Sequence, residues 1–150
     1  MKPIVLADLW TYQVAVLAEK ISRHTAEVAR KEGLTVAQWR VLAAIAEVPG
    51  RTAKQVEDIT PMDKASISRA VRHLIQTESV TRRSSDADGR IAHLHLTAKG
   101  EKLYDLIAPE IKSHANEMIR RLAPEERTAF RGVLKNLVEG FGGTSAGRDN

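Results

Sequence analysis

Cysteine is absent from all 150 residues, which excludes disulfides, thiolate nucleophiles, thiolate metal sites and thiol redox sensing at once. Aromatic side chains are few, and Trp10, Tyr12, Trp39, Tyr104, Phe130 and Phe141 all lie outside residues 51–97. Long apolar runs are also missing: none approaches the roughly 18–20 residues of a membrane span. Asp8, Glu19 and Lys20 interrupt the stretch after Met1-Lys2-Pro3-Ile4, so no secretory apolar core is expected. The expectation is a cytoplasmic protein with no membrane attachment. Charge is nearly balanced, 23 Lys+Arg against 19 Asp+Glu, and the net +4 permits a polyanionic partner without demanding one. What is present, 43% hydrophobic and 28% charged residues, is the composition of a globular domain able to bury a core without staples.

From about Leu6 to Glu32 there is no Pro or Gly, and Val14, Leu17, Ile21 and Val28 recur at helical spacing up to Gly33, a stop signal. One amphipathic helix is expected here, roughly 40 Å long at 1.5 Å per residue and so longer than one small core covers. Thr35 caps a second helix, Val36 to about Val48, with Val41, Leu42 and Ile45 inward and Pro49-Gly50 ending it. Thr52 opens a short third helix from Ala53 to Ile59, which Thr60-Pro61 breaks; Asp63 then caps a fourth helix reaching about Glu78. Two short helices across a tight turn are the helix-turn-helix layout. After Glu78 the period changes to 2. The alternating runs 79–83 and 90–96 flank the polar turn Ser84-Ser85-Asp86-Ala87-Asp88-Gly89, which predicts a β-hairpin. Thr97 caps a helix to about Leu122 with Pro109 inside it, where a kink is expected. Pro124-Glu125-Glu126 begins a last helix carrying Phe130, Val133, Leu134, Leu137, Val138 and Phe141 at helical period, and a small polar tail comes after it. The fold class is therefore mainly α with a small β-hairpin wing.

Ile67, Val71, Leu74 and Ile75 give the fourth helix one apolar stripe, and Ala65, Ser68, Arg69 and Arg72 lie opposite, flanked by Lys64 and Ser66. Small hydroxyl residues let a helix approach a major groove, and Arg donates bidentately to guanine O6 and N7. An ordinary solvated face is the alternative for such a helix taken alone. The preceding helix and turn and the following hairpin together describe a winged helix-turn-helix, whose wing supplies Arg82, Arg83 and Arg90 for phosphates or a minor groove. Asp86 and Asp88 are placed to pair with Arg90 and hold its guanidinium. Paired carboxylates also suit acid/base chemistry, but no nucleophile, oxyanion feature or pocket signal accompanies them, so neither an enzyme nor a cofactor is expected. Between Arg51 and Arg90, eight Lys/Arg face six Asp/Glu, so the argument rests on which face the cations occupy. Without aromatic stacking platforms in this stretch, duplex DNA is favoured over single strands or RNA. The alternative function is a winged helix used for protein–protein contact without DNA.

Four motifs in order, Leu34-Thr35-x-x-Gln38-Trp39-Arg40-Val41-Leu42, Asp63-Lys64-x-Ser66-Ile67-Ser68-Arg69, Asp86-x-Asp88-Gly89-Arg90 and Leu96-Thr97-x-x-Gly100, resemble the multiple antibiotic resistance regulator (MarR) family. The similarity spans about Leu6 to Phe141. It implies a homodimeric transcription regulator, expected to be a repressor, in which the first and last two helices interlock. Residues 1–141 would form one domain, with about 35–97 the DNA-binding winged helix, 4–33 and 98–141 the dimerisation helices, and 142–150 a disordered tail. Ser66, Ser68 and Arg69 would contact bases or phosphates and Arg90 would stand at the wing tip. Gly89 replaces the first of two wing arginines, which implies weaker minor-groove affinity. Two recognition helices would then lie about 34 Å apart on a pseudo-palindromic operator.

The resemblance also implies release of DNA by a small aromatic acid bound between the dimerisation helices and the winged part. Trp10, Tyr12, His24, Trp39 and Arg40 are the candidate lining, although Trp39 also fits a core position and Arg40 a surface one. His93 and His95 share a strand face, with His73 and His114 elsewhere; without cysteine, surface histidines are expected and no metal site. The run Ser84-x-Asp86-x-Asp88-Gly89 imitates the start of a calcium loop, but His95 stands where Glu is required, and that reading fails.

Overall fold

A computed structural model describes residues 3–84 and 91–142 of the chain. A 3-10 turn, Leu6–Asp8, precedes α1 (Trp10–Lys31), α2 (Val36–Glu47), α3 (Ala53–Ile59) and α4 (Lys64–Gln76). β1 (Val80–Ser84) and β2 (Ala92–Leu96) pair antiparallel, and α5 (Ala98–Ile119) and α6 (Pro124–Gly142) complete the described chain. The expected helix from Leu6 is interrupted. Leu9 is extended at φ −86°, ψ 110°, and the Gln13 side chain donates to the Ala7 carbonyl at 2.6 Å, so that α1 begins only at Trp10. α5 continues through Pro109. No helix among the described residues is long and apolar enough to cross a membrane.

The chain up to Ile111 forms one compact unit, and the rest, from Lys112, another. In the first, the core gathers Val28 and Ala29 of α1, Trp39, Val41, Leu42, Ala44 and Ile45 of α2, and Val56 of α3. Ile67, Ala70, Val71 and Leu74 of α4, Val80 and Leu94 of the hairpin and Ile107 of α5 close it. Ile75, read as part of the α4 stripe, is only half-buried. The starts of α2 and α3 are doubly capped. Thr35 with Gln38, and Thr52 with Gln55, form capping boxes in which each side chain satisfies the other's backbone N–H. Gly33 adopts φ 75° just past α1, where a side chain would be strained.

The hairpin register sets Arg82 opposite Leu94 and Arg83 opposite His93. On the outer edge of β2, Gly50 N–H donates to Leu94 O (2.9 Å) and Leu94 N–H to Arg51 O (3.0 Å), which ties the hairpin to the α2–α3 connection. The junction between α4 and α5 is closer still. Lys99 Nζ donates to Thr77 O (2.7 Å), Thr97 Oγ1 to Glu78 O (2.6 Å) and Thr97 N–H to Ser79 O (3.1 Å). A Cβ at Gly100 would stand 2.1 Å from that Ser79 oxygen, so only glycine fits. The carbonyls of the three residues that follow α4 are thus satisfied by the residues that start α5.

Candidate nucleic-acid interface

Thr60 leaves α3 in extended conformation, and Asp63, also extended, caps α4 three residues later. Asp63 Oδ1 accepts from Ser66 N–H at 2.8 Å. This backbone bond, together with one from the Ser66 hydroxyl, holds the Asp63 carboxyl below its ordinary 3.8. The cap fixes where α4 starts and therefore which residues face outward. Ile67, Ala70, Val71 and Leu74 are buried, while Lys64, Ala65, Ser68, Arg69 and Arg72 are exposed.

Ser66 behaves differently from its neighbours. It is half-buried, its hydroxyl donates to Asp63 Oδ2 at 2.8 Å, and Arg69 Nη2 donates to it at 3.0 Å. Sequence reasoning placed Asp63, Ser66 and Arg69 correctly on one helix but missed their connection. The signal was available as the i, i+3, i+6 spacing. Arg82 and Arg83 of β1 are exposed. Among the described residues, none of Lys64, Arg69, Arg72, Arg82 or Arg83 has a carboxylate within 4 Å, whereas Arg51 is paired with Glu47 and Lys54 with Asp58 and Glu57. Arg90 and its expected partners Asp86 and Asp88 lie outside the described residues.

The remaining candidates are dispersed. Trp39 is buried and stacked on Tyr104 with ring centroids 5.7 Å apart; Trp10 and Tyr12 are exposed on α1, and His24 and Arg40 are half-buried. None of the five lines the cleft of about 410 Å³ formed by Ile45, Pro49, Arg83, His95, Tyr104 and Asp105. His93 Nδ1 bonds the Gly50 carbonyl at 2.8 Å, which requires that nitrogen to carry the proton. Arg83 faces His93 across the strand pair, and a cation there opposes a metal. No group of three or more metal-ligating side chains occurs among the described residues.

Comparison with known proteins gives the same architecture. The MarR family profile matches residues 32–91. The HTH-type transcriptional regulator BilQ of Clostridium symbiosum is 23% identical over 132 residues, 88% of this chain and 92% of that protein. Bordetella bronchiseptica BpsR, whose DNA binding is regulated by 6-hydroxynicotinic acid, superposes with a TM-score of 0.80 at 20% identity, covering 91% of this chain and 98% of that one. MepR of S. aureus, solved as a DNA complex, superposes at 0.79 with 15% identity over 89% of this chain and 96% of its own.

Proposed function

We propose that the chain, which matches the MarR family over residues 32–91, is a winged helix-turn-helix transcription regulator of that family and a cytoplasmic homodimeric repressor of duplex DNA sites. Members of the family generally bind DNA and dimerise, and some release DNA on binding a ligand. The observation that carries the reading is the outward face of α4 and β1. It offers five cations with no carboxylate partner among the described residues, together with the exposed Ser68 hydroxyl. Lys64, Arg72, Arg82 and Arg83 supply phosphate contacts and Arg69 with Ser68 the base reading, and Arg90 is proposed as a further DNA contact, with Asp86 and Asp88 as its proposed partners. Dimerisation is supported by the apolar side chains left exposed on α1 (Val14, Leu17, Ile21) and on α6 (Val133, Leu134, Leu137, Val138). A second copy is the occupant that suits them, and it sets two α4 helices on a pseudo-palindromic operator.

An aromatic acid is the proposed effector, supported by the regulation stated for BpsR. Trp10, Tyr12, His24 and Arg40 are its proposed contacts; Trp39, committed to Tyr104, serves as a wall. The test of the DNA reading is the salt dependence of duplex binding. Affinity should fall roughly a thousandfold or more between 50 and 200 mM salt if a dimer makes six or more phosphate contacts. Arg69→Ala should cost about 1–3 kcal/mol on the preferred duplex and leave the dimer intact. A flat salt response would favour a protein-binding winged helix instead.

A further inference from the structure

We propose that Asp63 and Ser66 are positioning residues that hold the Arg69 guanidinium ready for base reading before DNA arrives, an inference that rests on the DNA-binding reading above. The direction of the chain of bonds is set by proton counting. An ionised carboxylate only accepts, so the single Ser66 hydroxyl proton points to Asp63 Oδ2 at 2.8 Å. The Ser66 lone pairs then face Arg69 Nη2, a donor, at 3.0 Å. The sequence runs Arg69 to Ser66 to Asp63, and each group uses the polarity its neighbour lacks. A guanidinium has five N–H donors, and a single donor bond to Ser66 leaves enough for a bidentate contact with guanine.

This assignment changes the role expected for Ser66. Its one proton is committed to Asp63, so it cannot also donate to a phosphate oxygen. Arg69 and Ser66 line a cleft of about 240 Å³ with Ala70, the α2 cap Thr35, and Ala37 and Gln38 of α2, a lining that includes no carboxylate. The guanidinium is therefore aimed by a hydrogen bond to a neutral hydroxyl rather than neutralised by an ion pair, and it keeps its charge for DNA. Long flexible side chains lose rotamer freedom when they bind, and a preset one has less to lose.

The test uses the full chain with two duplexes: one enriched by the parent protein from a randomised pool, and a scrambled duplex of the same length. Asp63→Asn keeps a good helix cap but reverses the polarity offered to Ser66, and it removes a negative charge near DNA. Simple electrostatics predicts tighter binding to both duplexes. The positioning role predicts that the enriched-to-scrambled affinity ratio falls about two- to tenfold. Ser66→Ala, which leaves the Asp63 bond to the Ser66 backbone N–H in place, should lower the ratio similarly. Neither change should lower it further once Arg69 is Ala. An unchanged ratio in both variants, or an equal fall in the Arg69→Ala background, overturns the positioning role while leaving the DNA reading intact. A parent protein that shows no salt-dependent duplex binding overturns both.

Discussion

Along α2, Val41, Leu42 and Ile45 are withdrawn from solvent entirely, whereas along α6 Leu137 and Val138 keep 39% and 66% of their surface exposed. Both helices show the same kind of periodicity in sequence. α1 contains both situations in one element, since Val28 is buried near its end while Val14, Leu17 and Ile21 are exposed before it. A helical apolar stripe reports that something must cover it, and it carries no information on whether the cover comes from the same chain. The winged part answers from within. The exposed stripes of α1 and α6 have the composition of a core without its second half, as obligate dimer interfaces do.

Three changes sharpen that contrast, and the largest belongs to the winged core. Leu42→Ala should reduce unfolding free energy by ~2–5 kcal/mol in urea titrations, because the side chain is fully enclosed. Leu137→Asp should behave in the opposite way. The dimer, measured by sedimentation over a dilution series, should weaken by roughly a hundredfold or more, about 2.8 kcal/mol, through burial of a carboxylate in an apolar interface. A sedimentation profile identical to the parent's would show that the α6 stripe faces water, not a second copy. The smallest effect concerns the cap of α4. Because the folded Asp63 carboxyl lies below its ordinary value, its stabilisation is complete above 3.8 and lost as pH falls through the folded value. Parent and Asp63→Asn should therefore differ in thermal stability near neutrality and converge in acid; a gap that persists in acid would assign the effect to something other than that carboxylate.

Helix starts were readable because their chemistry is local. Thr35, Thr52 and Asp63 cap in the structure as their spacing to Gln38, Gln55 and Ser66 implies. The α4 face was equally legible, since Ile67, Val71 and Leu74 fix its inward side within a single helix. The break at Leu9 was not, because it depends on a Gln13 amide bonding a carbonyl six residues back instead of on a Pro or Gly. The stacking of Trp39 on Tyr104 was hidden for a different reason. It joins residues far apart in sequence, and only the packing of α5 against α2 reveals that the indole is already engaged.

The seam at Thr77–Gly100 carries a mechanical consequence. Lys99 and Thr97 grip the carbonyls of Thr77 and Glu78, just past the end of the helix that carries Arg69, and the glycine backbone lies directly against Ser79 O. A twist applied at the first turn of α5 therefore pulls directly on the end of α4, as a crank hands on rotation.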